Sequence, residues 1–305
     1  MLAFNIRDVR NVGGDWDSFD YRVWFTVPDI DAKELIEKAV TTSGAGSDDV
    51  RDYAAYDYDG DGSLEAFVFI GSETDEMWST CSGTVWFVDD DSCESVQENE
   101  SFFVYGNKVI DMVNVDGHIF AHTRVAYATS TVSYLYYVKD GNCRESEISG
   151  LGSFFKPDYA DGYSISVSAY DYCLDYDEGK ESEGMYTGHT WKHYYFYYDE
   201  EAEDFKEYVG TPITESELAS ECGFDLVGDI RKEGYQIDDI FKRDNGVINV
   251  NYSKISKGDG TVSVEYHNAT YNVNTQRYAD AWDSNANTWE NSDFGGIYLR
   301  AITER

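Results

Sequence analysis

Apolar and polar residues alternate with a period near two along most of this chain, and the alternation breaks at turns rich in Asp, Asn and Gly. A period of two places successive side chains on opposite faces of a strand, so the pattern predicts sheet. Four segments share one layout: an Asp- or Asn-containing turn, a Gly, then an apolar run. They are Asp59-Gly60-Asp61-Gly62 before Ala66-Phe67-Val68-Phe69-Ile70, Val115-Asp116-Gly117 before Ile119-Phe120, Ala160-Asp161-Gly162 before Ile165 and Val167, and Asp244-Asn245-Gly246 before Val247, Ile248 and Val250. Upstream, Val109-Ile110-Asp111-Met112-Val113 matches Gln236-Ile237-Asp238-Asp239-Ile240 in type.

A second strand, mostly aromatic, follows each run: Thr84–Val88, Tyr134–Val138, Tyr194–Tyr198 and Val262–Tyr266. The first three lead into acidic turns, and short partner strands such as Glu94–Val96 and Phe205–Tyr208 come next. Strand, strand, hairpin, strand is the plan of a β-propeller blade. Four blades can be traced. Tyr21–Val27 and Gly296–Arg300 could complete a fifth from the two ends of the chain. The expectation is an all-β, propeller-like single domain over residues 1–305, with a strand-helix segment at about 21–43. A β-sandwich or plain meander gives the same alternation and stays open.

Two short helices interrupt this. Asp31 can cap the first, with Glu34 at the reciprocal position. Ala32, Leu35, Ile36, Ala39 and Val40 then share a face, and Gly44 and Gly46 end it. Thr214 and Glu217 form the same capping box for the second, with Leu218 inward and Gly223 beyond the end.

Composition sharpens the picture in three ways. The 26 Tyr, 16 Phe and 7 Trp suit pleated, half-buried surfaces, and with only 3 Pro the turns fall to Gly, Asn and Asp. A formal net charge of −36 repels phosphate backbones and anionic lipid, so nucleic acid is not expected as a partner. That charge also opposes compaction, so bound cations would stabilise the fold. No apolar run is long enough to cross a membrane as a helix.

The five cysteines are Cys81, Cys93, Cys143, Cys173 and Cys222, without zinc spacing. Cys81 and Cys93 bracket a predicted hairpin and could bridge in an exported protein; buried free thiols are the alternative. Residues 1–7 lack the apolar stretch of an export signal. A cytoplasmic protein would fit that. So would a signal removed ahead of Met1, the expectation preferred here because extracellular calcium matches the loop described next.

Asp57-Tyr58-Asp59-Gly60-Asp61-Gly62-Ser63-Leu64-Glu65 sets carboxylates at positions one, three, five and nine, with Gly at six. Calcium takes six to eight oxygen ligands, and alternate side chains of a tight loop can converge to supply them. Asp57, Asp59, Asp61, Glu65 and the Ser63 carbonyl are the candidate ligands. An EF-hand needs an acid at position twelve and a following helix; here Val68 and a strand stand instead. Over residues 53–71 the sequence resembles the calcium loops of FG-GAP/VCBS-type repeats. It also resembles secreted or lipid-anchored proteins of clostridial-type bacteria. Glu65 replaces the usual last Asp. The resemblance implies a propeller-like scaffold in which calcium braces the turn between two strands.

Nucleophile-elbow, P-loop and dinucleotide motifs are absent. A glycosidase needs two carboxylates across a sugar site, and with 59 acidic residues such a pair arises by chance. His118 with His122, and His189 with His193, are spaced by four. Neutral imidazoles could hold a transition metal, but polar residues of a sheet are the plainer reading. Trp78, Trp191, Trp282 and Trp289 lie in polar surroundings, as contacts for a protein or glycan would; packing between sheets is the alternative. The functional expectation is therefore an extracellular or cell-surface, calcium-binding, non-enzymatic interaction protein with a protein or glycan ligand. The alternatives are a carbohydrate-active enzyme and a purely structural module of a surface assembly.

Overall fold

The computed structural model describes residues 2–12, 15–25, 32–127, 130–157, 160–172, 186–258 and 261–283. The chain is all-β, built of antiparallel sheets with three short α-helices among the described residues. Strands β1 (Leu2–Val12) and β2 (Asp15–Phe25) pair with each other as a hairpin, from Leu2↔Phe25 to Val12↔Asp15. Thus Tyr21–Phe25 joins a two-stranded sheet of its own; residues 26, 27 and 296–300, the rest of the expected fifth blade, lie outside the described residues.

Helix α1 (Lys33–Ser43) follows and ends at Gly44 in the left-handed conformation. Its N-cap is Ala32, which offers no side-chain cap, and Asp31 lies outside the described residues. Four meanders then succeed one another. The first is β3 (Val50–Tyr56), β4 (Glu65–Gly71), β5 (Thr80–Val88) and β6 (Cys93–Phe103). The second is β7 (Asp111–Val115), β8 (His118–Ala126), β9 (Thr131–Lys139) and β10 (Asn142–Glu145). The third is β11 (Ser153–Phe155), β12 (Tyr163–Tyr172), β13 (Tyr186–Asp199) and β14 (Asp204–Glu207).

After β15 (Thr211–Pro212) come α2 (Glu215–Cys222) and α3 (Leu226–Lys232). The fourth meander is β16 (Gln236–Lys242), β17 (Val247–Gly258), β18 (Thr261–Asn272) and β19 (Arg277–Asp283), with β15 on the edge beside β16. Each of the four acidic or Asn-Gly turns joins the first strand of a meander to its second. The capping box of α2 forms as its residues predict: Thr214 Oγ1 accepts from the Glu217 amide, and Glu217 reaches back to the Thr214 amide. Helix α3 was not expected from the sequence; Asp225 caps it by accepting from the Gly228 amide at 2.9 Å.

Alternation then decides what packs on what. In the first meander Phe67, Phe69, Val85 and Phe87 face one way, joined by Ala121, Val125, Tyr136 and Val138 of the second. The intervening residues Ala66, Val68, Ile70 and Val88 face the other way, against Leu35 and Ala39 of α1. The far face of the second meander, with Phe120 and Leu135, packs on Phe154, Tyr163, Ile165, Phe196 and Phe205 of the third. One face of the fourth meander, with Ile248, Val250, Tyr252, Ala269 and Tyr271, is covered by Leu218 of α2 and by Leu226 and Ile230 of α3. The meanders therefore stack in series, with α1 over the outer face of the first and α2–α3 over the outer face of the fourth. Among the described residues no sheet closes on itself. Among the described residues the strand pairing between the first two meanders is Phe102↔Val125.

Of the two readings left open for Cys81 and Cys93, a bridge or free thiols, the structure has free thiols. Cys81 pairs across the β5–β6 ladder with Phe102 and Cys93 with Val88, so the two sit toward opposite ends of it. Cys81, Cys93 and Cys143 are free thiols, Cys222 is buried outside any disulfide, and Cys173 lies outside the described residues. Burial pushes the thiols of Cys81 and Cys143 up to about 11 and about 12, which keeps them protonated and unreactive.

Candidate metal centre

Strands β3 and β4 pair from Tyr56↔Glu65 inward, so the eight residues between them must form a closed loop at the sheet end. Gly60 and Gly62 both take positive φ, 76° and 95°, which lets the backbone curl back on itself twice. Carboxylates fasten the loop from within. Asp57 accepts from the Gly62 amide at 3.1 Å, Asp59 from the Asp61 amide at 3.3 Å, and Asp61 from the Ser63 amide at 2.7 Å. The result brings one oxygen each of Asp57, Asp59 and Asp61 within 4.8 Å of one another.

Asp57 Oδ1 is buried and has no hydrogen-bond partner. A buried carboxylate oxygen left unpaired beside two more carboxylates is costly without a cation. The all-oxygen set suits a hard ion such as calcium. Ser63 follows Asp61 in the loop, leaving its carbonyl at the seventh position of the series.

Glu65 behaves differently from the three aspartates. It is only 2% exposed, and its Oε2 accepts from the Tyr58 amide at 2.8 Å. Its carboxyl is turned onto the base of the loop and is not one of the three converging groups. Burial pushes it up to about 7; the Tyr58 amide opposes this, and repulsion from Asp59, Asp57 and Asp61 adds to it. Tyr58 beneath it is buried and stands edge-on to Phe67, which ties the loop to the core.

The loop also touches the second meander. Asp59 Oδ2 accepts from the Gly141 amide in the β9–β10 turn at 2.9 Å. Beside this contact lies an open cleft of about 450 Å³, lined by Asp59, Asp61, Tyr137, Tyr198, Glu200 and Glu203 among others. His118 packs tilted against Tyr198 at its edge, 4.4 Å between ring centres, and meets Glu200 at 3.3 Å.

The histidine pairs do not form metal sites among the described residues. His118 and His122 are four apart on β8, about 13 Å at strand rise, too far to share an ion. His122 is 1% exposed, and its Nε2 lies 2.9 Å from Ser133 Oγ. Its Nδ1 has no partner, and burial with a smaller push from Arg124 lowers its pKa to about 3. His193 packs edge-on against Phe155 far from the loop; the side chain of His189 lies outside the described residues. Trp78 stands 70% exposed between β4 and β5, next to Met77 at 82%. The side chains of Trp191, Trp282 and Trp289 lie outside the described residues.

A pH prediction follows from His122. The unfolded chain takes a proton near pH 6.5, whereas the folded chain refuses it until about pH 3. Stability owed to neutral His122 is thus complete above about pH 6.5 and is lost as pH falls below it, by up to ~1.4 kcal/mol per unit. Urea unfolding of wild type and His122→Asn from pH 7 to pH 4 should show the difference between them shifting steadily against wild type. Parallel curves would contradict a buried neutral imidazole.

The chain matches no protein-family model, no curated protein and no solved structure. No described helix is long and apolar enough to cross a membrane.

Proposed function

We propose that this protein is an extracytoplasmic, calcium-braced interaction protein, non-enzymatic, with a protein or glycan as its ligand. One observation carries the calcium reading: three aspartates of the β3–β4 loop converge, and one of their oxygens is buried without a partner. Asp57, Asp59 and Asp61 would hold the ion with the Ser63 carbonyl, while Glu65, turned onto the Tyr58 amide, would buttress the loop from beneath. The ion would lock a loop that also contacts the second meander through Gly141. Its work is mechanical: it neutralises three like charges and fixes one meander against the next. The four meanders are read as propeller-type repeats of the FG-GAP/VCBS kind, of which the first keeps its acids.

The cleft beside the loop is the proposed contact surface. Tyr137 and Tyr198 offer ring faces, and the neighbouring carboxylates offer acceptors for hydroxyl or amide donors. Exposed Trp78 is a second contact for a partner. Placement outside the cytoplasm rests on the calcium supply there and on the likeness of residues 53–71 to exported repeat proteins.

Titration calorimetry and thermal melting test this directly. Calcium added to chelator-treated protein should release or absorb heat with one-site stoichiometry and raise the melting temperature. At one hundred times the dissociation constant the gain is about 2.7 kcal/mol. Asp59→Asn should abolish most of both effects. No heat and no shift on adding calcium would end the calcium reading.

A further inference from the structure

The three interfaces between meanders are not alike. The first two are filled by aromatic and aliphatic side chains. The third, between β13 of the third meander and β17–β18 of the fourth, carries charged and amide side chains and holds a half-open cavity of about 300 Å³. Arg243 lines that cavity, is 7% exposed and has no carboxylate within ion-pair distance among the described residues. One guanidinium nitrogen, Nη1, donates to Asn249 Oδ1, and Nη2 donates to the His193 carbonyl at 3.3 Å. Its Nε–H is buried without a partner, and the cation lies 5.2 Å over the Tyr195 ring.

A hydrogen-bond relay runs from the Arg243 side of the cavity to Asp239, which also lines it. Asn249 donates to Thr270 at 2.9 Å, Thr270 to Asn268 at 3.0 Å, Asn268 to Asn251 at 2.5 Å, and Asn251 to Asp239. Every donor in this chain points away from Arg243 and toward Asp239. The amide oxygens are consumed within the relay, and among the described residues no carboxylate forms a contact ion pair with the guanidinium, which feels Glu207 and Asp239 only across the cavity. A sheet face needed only for packing would gain more from apolar residues, as the other two interfaces do.

We infer that this cavity binds a small monocarboxylate, with its carboxylate paired to Arg243. Guanidinium and carboxylate match in charge and planar geometry, and the pairing is strongest where water is excluded. Glu207 and Asp239 also line the cavity, together with Lys192 and Arg243. Their charge disfavours a dianion such as phosphate and supplies acceptors for hydroxyl or ammonium groups on the rest of the ligand. A sugar acid and an amino acid share this chemistry. The site is far along the stack from the β3–β4 loop and does not depend on calcium there.

Calorimetry and melting of the full chain with D-glucuronate, glycine, D-glucose and inorganic phosphate decide the matter. At least one carboxylate should bind and raise the melting temperature, with glucose silent. Glucuronate alone identifies a sugar acid, and glycine alone identifies an amino acid. Arg243→Lys should weaken binding at least about tenfold, because an ammonium cannot reproduce the fork. Since that variant disturbs a buried network, Gly210→Val serves as an independent block. Even a Cβ at 210 would lie 3.4 Å from Arg243 Cζ, so valine fills the space over the guanidinium without removing the charge. It too should cost about tenfold or more. Neither carboxylate binding up to about 20 mM, binding untouched in both variants, or phosphate binding more tightly than either carboxylate would each overturn the assignment.

Discussion

Asp52→Ala is expected to destabilise the protein by about 3–5 kcal/mol, more than its place among 59 acidic residues suggests. Asp52 is 8% exposed on β3. Its Oδ2 accepts from the amides of Val109 and Ile110 at 2.8 and 3.0 Å, and its Oδ1 meets Lys108 Nζ at 3.0 Å. Val109 and Ile110 belong to the connection that carries the chain from the first meander to the second, and both side chains are buried. Alanine would leave two buried N–H groups without an acceptor, each costing about 1–3 kcal/mol. The Lys108 contact adds little, because that ammonium is half exposed. Asp52→Asn keeps one acceptor oxygen and should cost about half as much. Chemical denaturation measures the loss, and hydrogen exchange locates it: the amides of Val109 and Ile110 should exchange fastest relative to wild type. A loss below about 1 kcal/mol would mean that water replaces the carboxylate.

Phe120→Ala should have a comparable effect, about 3–5 kcal/mol. Phe120 is fully buried where the second and third meanders meet, with ring centres 5.5 Å from Tyr137 and 5.6 Å from Phe205. Truncation leaves a cavity that sheets on both sides cannot collapse into, since each is held by its own ladder. Phe120→Leu, which keeps most of the volume, should cost less than about 1.5 kcal/mol. The ring also stands edge-on to Tyr198, 6.2 Å away, which lines the cleft beside the aspartate loop. Intrinsic fluorescence and denaturation together would read both the stability loss and the loosened tyrosine. Equal losses for alanine and leucine would show that ring packing is not what Phe120 contributes.

Asp204 repeats the logic of Asp52 further along the chain. It is buried on β14 and accepts from Ser146 Oγ at 2.6 Å and the Glu147 amide at 2.9 Å, in the stretch leading from the second meander to the third. Neither aspartate could be told from its exposed neighbours by residue type or spacing. A carboxylate that holds a distant backbone segment leaves no periodic mark. The same is true of Arg243, one of 23 cations, whose lack of a contact ion pair depends on which sheet faces it.

Local chemistry was legible where it acts locally. Period-two alternation, Asp-Gly turns, the Thr214–Glu217 capping box and the Asp57–Asp59–Asp61 series all work within about ten residues, and each appears in the structure where its residues stand. Helix α3 escaped because a seven-residue helix owes its existence to burial of Leu226, Val227 and Ile230 on the fourth meander, not to its own propensity. The inward turn of Glu65 escaped because spacing alone cannot say which way a carboxylate faces once the loop closes over Tyr58. Whether Cys81 and Cys93 bridge was left open because hairpin residues pair by ladder register, which here sets the two cysteines apart.

What the sequence by itself determined is therefore the repeating unit: an antiparallel meander whose first turn, in one copy, gathers carboxylates. These features follow from backbone geometry and nearest-neighbour chemistry. What only the tertiary structure decided is the order and character of the stack. Helices cover both outer faces, aromatic side chains fill two interfaces, and a cavity around an arginine without a contact ion pair occupies the third. Those outcomes depend on residues brought together from distant parts of the chain, and long-range burial and charge pairing exist only once the sheets have packed.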